Sequence, residues 1–120
     1  MTVEVSQCKV DEALEIVVGK WKPVILLHLL HEGTKRFSEL KRSMPGITQK
    51  MLTKQLRELE DEDIIQRVVY PQVPPKVEYS MTDYGRTLGP ILEAMHEWGE
   101  NHVMHKQKMG LLSEQQEQIQ

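Results

Sequence analysis

The segment ITQKMLTKQLRELEDED, residues 47–63, has the pattern of a short amphipathic helix. Leu52, Leu56 and Leu59 recur at i, i+4 and i+7, which places them on one side of a helix. The pattern predicts that these leucines are buried and that the opposite side faces outward. That outer side carries polar and basic residues: Lys50, Thr53, Lys54 and Arg57.

Local signals predict where this helix begins. Thr48 is a typical N-cap residue, whose hydroxyl accepts a hydrogen bond from a backbone N–H of the first turn. Ile47 and Leu52 have the N′ and N4 spacing of a hydrophobic staple, and Pro45-Gly46 breaks the preceding helix. A helix with a cationic outer face fits the major groove of B-DNA. The simpler alternative is a surface helix whose charges are only solvated.

The charge of the chain is unevenly distributed. The net charge is −3, yet the segment 35–57 holds seven basic residues and one acid, Glu39, and therefore carries +6. Five acids follow within residues 58–63. A basic patch on an acidic body is the electrostatic footprint of a protein that binds nucleic acid. The alternative is that acids from elsewhere in the fold neutralise this patch.

The composition predicts one small domain over residues 1–110 and a flexible Gln- and Glu-rich tail over 111–120. No apolar run reaches the roughly 18 residues that a membrane-spanning helix needs, and we see no secretory signal. The one cysteine, Cys8, excludes an intrachain disulfide and fits a reducing compartment. We therefore expect a cytoplasmic protein that does not enter a membrane.

The periodicity predicts a mainly α protein with a small antiparallel β hairpin. Helices are expected at 11–18, 21–33, 37–43 and 48–62, and strands at 64–70 and 76–81. The proline-rich segment 71–75 forms the tip of the hairpin. Two helices joined by a short turn and followed by such a hairpin form a winged helix-turn-helix.

A long C-terminal helix follows the hairpin. We expect Thr82 to cap it and Gly89-Pro90 to kink it near its start. Its apolar stripe has little of the domain left to cover it, which predicts a homodimer through the first and the C-terminal helices. The stripe comprises Leu88, Ile91, Leu92, Met95 and Trp98.

Six ordered blocks resemble the HxlR-type transcriptional regulators, a group akin to the MarR proteins. They are GKWK at 19–22, KRFSEL at 35–40, ITQKMLT at 47–53, LRELE at 56–60, VPPKVEY at 73–79 and TDYGR at 82–86. The resemblance spans about residues 8–106. It implies a bacterial, dimeric winged-helix regulator in which the helix near 48–62 reads double-stranded DNA and the wing at 71–76 touches the flanking backbone or minor groove.

The resemblance also assigns a role to Cys8. Members of this group often carry a cysteine before the first helix that senses electrophiles or oxidants, although a proline usually follows it where this chain has Lys9. A thiolate is the reactive species, and a nearby cation favours it. The alternative is an unreactive cysteine at a dimer interface. A second departure is Asp63, where many members have glycine; aspartate tolerates the left-handed conformation of such a turn.

The residues expected to face DNA mix amide, hydroxyl and cationic groups. Gln49 can pair with adenine, Lys50 or Arg57 with guanine, and about half of the set should touch phosphate. Thr48 and Thr53 can contact phosphate or a thymine methyl, and Lys54 can clamp the backbone. Arg36 and Lys76, with Lys20 and Arg86, are further phosphate candidates. The competing hypothesis is a winged-helix module that binds an acidic protein partner.

Catalysis and metal binding have little support in the sequence. We find no phosphate-binding glycine loop, nucleophile elbow or paired carboxylates, and we expect no cofactor. His102 and His105 lie at i, i+3 with His96 upstream, but no second cysteine or carboxylate set completes a zinc site. Solvated helix residues are the simpler interpretation of these histidines. An oxidant or small molecule remains a candidate effector.

Overall fold

The computed structural model describes the backbone of residues 8–119 and the side chains of residues 8–110. The predicted fold class is confirmed: most elements are helices, and β1, β2 and β3 form a small antiparallel sheet. The elements in chain order are α1 (Val10–Val17), α2 (Lys22–Glu32), β1 (Lys35–Arg36), α3 (Phe37–Ser43), α4 (Gln49–Asp61), β2 (Ile65–Tyr70), β3 (Lys76–Met81), a 3₁₀ turn (Gly85–Leu88) and α5 (Gly89–Ile119).

The backbone forms two compact units, one ending at Leu88 and one consisting of α5 and the end of the chain. The first unit contains the helix-turn-helix of α3 and α4 and the β2–β3 hairpin. The predicted flexible tail, 111–120, has side chains outside the described residues. The predicted domain boundary at residue 110 therefore stays a prediction.

The core of the first unit is built around the inner face of α4. Leu52, Leu56 and Leu59 are at most 1% exposed, as their helical spacing predicts. Burying a leucine stabilises the fold by about 1.5–3 kcal/mol, so this face fixes the orientation of the whole helix. The other fully buried side chains of this unit come from α2, α3 and the chain around β2: Ile25, Leu26, Leu40, Met44, Ile64 and Ile65.

The sheet has the order β1-β3-β2, with both pairs antiparallel. Tyr79 lies opposite Lys35 of β1 and Arg67 of β2. Along β3, Tyr79 and Met81 are buried while their neighbours are less so, as the alternating pattern predicts. The short strand β1 was not predicted, because two residues carry no periodicity.

The turn between α4 and β2 adopts the conformation predicted for it. Asp63 has a φ of 62°, in the left-handed region that aspartate tolerates better than most residues. Its backbone N–H donates to the Glu60 carbonyl at 3.0 Å. The wing therefore starts at a fixed angle from the end of α4.

Thr82 caps the 3₁₀ turn Gly85–Leu88, which leads into the C-terminal helix, and not α5 itself. Its hydroxyl donates to the Asp63 carbonyl at 2.6 Å and accepts from the Gly85 N–H at 2.8 Å. Thr82 thus ties the end of the hairpin to the exit of α4. A Cβ on Gly85 would meet the backbone of Ile64, with 2.9 Å to its carbonyl carbon, so this close approach requires glycine.

Gly89-Pro90 does not interrupt α5 but begins it. Proline lacks the backbone N–H, which has no helical acceptor in the first turn, and its fixed φ suits that position. The predicted kink is therefore replaced by a helix start.

Candidate nucleic-acid interface

The outer face of α4 forms a surface groove of about 700 Å³. The helix is held there by its buried leucines and by its N-cap, so the residues between the leucines must face outward. Five of the six residues predicted to face DNA line this groove together with one acid, Glu58; the five are Gln49, Lys50, Thr53, Lys54 and Arg57.

The cations of this groove are available to a ligand. Lys50, Lys54 and Arg57 are exposed. Among residues 8–110, the ion pairs that α4 makes join Lys22 to Glu58 and Arg67 to Glu60, and neither pair uses these three cations. Among these residues, the three cations therefore form no ion pair with an acid, although the charge of Lys54 helps to lower the pKa of Glu58.

Thr48 caps α4, as predicted. Its hydroxyl oxygen accepts from the Met51 backbone N–H at 3.0 Å. Both staple residues are also buried, Ile47 at 5% and Leu52 at 0% exposure. The hydroxyl of Thr48 is thus occupied in fixing the first turn, and Thr48 does not line the groove.

Thr53 is placed in the groove but its hydroxyl is already bonded. It donates to the Gln49 carbonyl of the preceding turn at 2.8 Å. Donation to a phosphate would require breaking that bond. Without breaking that bond, the Thr53 side chain can contact a ligand through its methyl group or through a lone pair of its oxygen.

Glu58 was not predicted as part of the interface. Its carboxylate accepts from Lys22 Nζ at 2.7 Å, which joins α4 to the first turn of α2. The Lys22 ammonium lowers the pKa of Glu58 below its ordinary value, first through this hydrogen bond and then through its charge. The signal in the sequence was the basic GKWK block, but nothing local indicates which acid it meets.

The weaker phosphate candidates differ in how free their side chains are. Lys76 lies 3.3 Å from a Glu78 carboxylate oxygen and 4.9 Å from the centre of the Tyr70 ring. Lys20 lies 4.7 Å from the centre of the Trp21 ring. Arg36 is exposed at the start of α3, where its backbone N–H donates to Glu39. Arg86 is exposed on the 3₁₀ turn.

Cys8 carries a free, partly exposed thiol two residues before α1 begins. Its place before the first helix agrees with the expectation. Lys9 occupies the N-cap position of α1 and makes no side-chain capping bond there. The structure thus leaves the thiol accessible without assigning it a partner among the described residues.

The histidines of α5 form an aromatic ladder. The rings of Trp98 and His102 stack with centres 4.9 Å apart, and those of His102 and His105 lie 6.4 Å apart. His96 instead pairs with Glu100 at 3.2 Å. Within the described residues, no three His, Cys, Asp or Glu side chains are grouped so that they could hold a metal ion. A search of the same residues finds no helix suited to spanning a bilayer.

Comparison with known proteins places this fold among transcriptional regulators. Residues 16–107 match the HxlR-like helix-turn-helix family. The HTH-type transcriptional regulator YtcD of Bacillus subtilis is 62% identical over 94 residues, which cover 78% of this chain and 74% of YtcD.

Solved structures agree with the sequence relatives. The redox regulator HypR in its oxidized form is 55% identical with a TM-score of 0.73, and the match covers 78% of this chain and 96% of HypR. A MarR-family regulator from Porphyromonas gingivalis is 35% identical with a TM-score of 0.75, over 83% of this chain and 97% of the other.

Proposed function

The chain belongs to the HxlR-like helix-turn-helix family of transcriptional regulators, and on that premise we propose that it binds an inverted-repeat DNA operator as a homodimer. The observation that carries the proposal is the groove on α4. Its cations are exposed and form no ion pair with an acid among residues 8–110, while the leucines of α4 hold the helix against the core. A helix held in this way enters the major groove of DNA in a fixed orientation.

The residues that line the α4 groove make different contacts with DNA, according to the chemistry of their side chains. Gln49 pairs with the N6/N7 edge of adenine and Lys50 with O6/N7 of guanine. Thr53 offers its methyl group to a thymine, since its hydroxyl donates within the helix. Lys54 binds phosphate, and Arg57 lies at the edge of the groove, where base and backbone are both in reach. Thr48 acts through the cap that fixes these positions.

Contacts outside α4 fix the protein on the duplex. Arg36, exposed at the start of α3, binds a flanking phosphate. Lys76 lies at the base of the proline-tipped wing, and on DNA it exchanges its surface partner Glu78 for phosphate or the minor-groove edge. The two side chains are 28% and 21% exposed, and a surface ion pair of this kind is worth about 1 kcal/mol or less, so this exchange costs little.

The homodimer is supported by the apolar surfaces of α1 and α5. Val10 and Leu14 of α1, and Val18 directly after it, are between 42% and 58% exposed. On α5, side chains at alternating spacings of four and three form a heptad-like seam, the pattern by which helices pack against one another. The seam comprises Ile91, Met95, Trp98, His102, His105 and Met109, all exposed. In the dimer the two α4 helices lie about 34 Å apart, one turn of DNA.

Cys8 makes the regulator responsive to oxidants. The support is its accessible thiol before α1 and the similarity to the redox regulator HypR. Two thiols, one from each protomer, lose two protons and two electrons to an oxidant such as a quinone and form an intersubunit disulfide. A mixed disulfide with a small thiol is the other available product.

The experiment that tests this function is selection of bound sequences from a random duplex pool, with and without diamide, on the wild type and on Cys8→Ser. We expect an enriched inverted repeat, and we expect diamide to change binding by the wild type alone. A similar oxidant effect on both proteins would contradict sensing by Cys8. The double variant Lys54→Ala/Arg57→Ala removes two cations from each protomer of the dimer and should bind the selected duplex with a salt slope lower by up to about four.

A result without an enriched sequence or any salt-dependent duplex binding would contradict the DNA proposal. It would favour the competing hypothesis, in which the cationic face meets an acidic protein. The mixture of amide, hydroxyl and cationic groups in the groove supports DNA, because these groups read base edges.

A further inference from the structure

A second, smaller cleft lies beside the groove of α4. Its volume is about 220 Å³, and it is lined by Thr53, Arg57 and Glu60 of α4, Arg67 of β2 and Tyr79 of β3. Thr53 and Arg57 also line the larger groove. A ligand that lies along α4 therefore reaches both the groove and this cleft.

The sheet register places Arg67 at the cleft. Arg67 lies directly opposite Tyr79 in the β2–β3 ladder, and residues directly opposite each other project from the same face of a sheet. Tyr79 is buried, so its ring forms the floor against which Arg67 is held. Because β2 follows α4 through the fixed turn at Asp63, the distance from Arg67 to α4 is set by the fold.

Two guanidinium groups and one carboxylate meet at this cleft. Arg67 Nε lies 3.5 Å from a Glu60 carboxylate oxygen, with side chains 46% and 36% exposed. All three charges affect the hydroxyl of Tyr79. Burial raises the pKa of this hydroxyl, the charges of Arg67 and Arg57 lower it, and the charge of Glu60 raises it. The cleft thus has a net charge of +1 with Glu60 in place.

The ion pair between Arg67 and Glu60 can exchange at low cost. Exposed pairs contribute about 0–1 kcal/mol because water solvates both partners. A phosphate oxyanion offers a guanidinium the same two-oxygen geometry and a stronger charge-assisted hydrogen bond. An oxyanion arriving between Arg57 and Arg67 would therefore compete well with Glu60.

We propose that this cleft binds one backbone phosphate of DNA between Arg57 and Arg67, and that Glu60 holds Arg67 until the phosphate displaces it. The inference rests on the proposed function of α4. It adds a specific phosphate contact from β2 and an acid that opposes binding. Glu60 thereby lowers affinity, because its ion pair with Arg67 must break when the phosphate enters the cleft.

The first test compares charge-neutral variants on the selected duplex by fluorescence anisotropy at several salt concentrations. Arg67→Gln should weaken binding by about tenfold and lower the salt slope by about two, as expected for one lost phosphate contact in each protomer of the dimer. Lys106→Gln, which removes one positive charge from α5, is the matched control. Arg67→Lys should keep the salt slope, since it keeps the charge, while losing part of the affinity.

Glu60→Gln should act in the opposite direction. Removing the competing carboxylate frees Arg67, and we expect binding to strengthen by about 3- to 10-fold. Asp61→Asn is the matched control, because this neighbouring acid on α4 is exposed and does not line the cleft. Equal effects of the two variants would show that only net charge matters and would overturn the role of Glu60.

A second test locates the phosphate. Single neutral methylphosphonates are placed along the duplex, and one position per half-site should weaken binding by the wild type more than binding by Arg67→Gln, in which Arg57 alone contacts that phosphate. Exchange of chloride for inorganic phosphate at equal ionic strength should leave DNA binding unchanged. A selective loss in phosphate would indicate a site for the free anion and overturn the assignment to DNA.

The outcomes separate this inference from the proposed function. If the wild type binds the selected duplex and Lys54→Ala/Arg57→Ala weakens it, but Arg67→Gln matches Lys106→Gln in affinity and slope, the cleft assignment alone is wrong. If the wild type binds no duplex, the proposed function is wrong and this inference falls with it. Thermal unfolding of each variant, followed by circular dichroism, verifies that it is folded.

Discussion

Helices α4 and α5 differ in how much of their apolar surface is buried. On α4, Leu52, Leu56 and Leu59 are at most 1% exposed and the polar side faces outward. On α5, Leu92 is 1% exposed, but Trp98 is 67% exposed and Met95 is 45% exposed. The packing of α4 is therefore complete within one chain, whereas α5 has an exposed seam left to pair. The two helices therefore fit different proposed partners, DNA for α4 and a second copy of the chain for α5.

The strongest test of this contrast is removal of the buried support of α4. Leu56→Ala should lower the free energy of unfolding by about 2–5 kcal/mol, because it leaves a cavity in a packed core. Urea denaturation measures the change. Met51→Ala is the control on the same helix, since Met51 is 38% exposed and should have a much smaller effect. Equal losses would mean that α4 is not anchored by its leucines.

The corresponding change on α5 should act on assembly. Met95→Glu with Trp98→Glu places four charges in the proposed dimer seam and should raise the dimer dissociation constant about 100-fold or more. Sedimentation equilibrium measures this. The charge variant Lys54→Ala/Arg57→Ala should leave the dimer intact. A dimer unaffected by the glutamates would exclude this seam as the interface.

A smaller effect on stability is expected at the start of α4. Thr48 caps α4 through its hydroxyl, and Thr48→Ala should destabilise the protein by about 1 kcal/mol. Thr48→Ser, which keeps the hydroxyl, should retain most of the stability in the same urea titration. If serine and alanine were equivalent, the hydrogen bond to Met51 would not be what stabilises this end.

The smallest expected effect concerns ion pairs. Because Lys22 lowers the pKa of Glu58 in the folded protein, the pair stabilises the fold above the ordinary carboxyl pKa of 4.5, and this contribution is lost as pH falls through the lowered folded value. Lys22→Met should therefore flatten the acid limb of the stability profile below about pH 5. Lys41→Met, a change at an exposed lysine of α3, should leave that limb as in the wild type.

An ion pair within α5 tests whether this effect is specific to the link between Lys22 and Glu58. His96 and Glu100 are neighbours on one helix, with side chains 56% and 66% exposed, whereas Lys22 and Glu58 join two elements. Glu100→Gln should change stability little at any pH. A loss as large as that of Lys22→Met would show that the link between α2 and α4 has no special role.

Much of the first unit could be predicted because its signals are local. The bounds of α3 and α4 follow from Pro45-Gly46 and the Thr48 cap, and the left-handed turn at Asp63 follows from its residue type. The start of α5 was misplaced, because Thr82 caps the 3₁₀ turn Gly85–Leu88 and also donates to the distant Asp63 carbonyl, and α5 begins only at Gly89. A capping residue can be recognised from sequence, but the group that it caps cannot.

Which face of α4 is buried follows from the local sequence, because the period of its leucines and the residues that begin and end the helix leave one orientation for it. Which charges remain available depends on how the elements pack. Glu58 is paired with Lys22 and Glu60 with Arg67, while Lys50, Lys54 and Arg57 remain unpaired among the described side chains. The physical reason is that ion pairs join elements distant in sequence, and their partners are chosen by how the helices and the sheet pack.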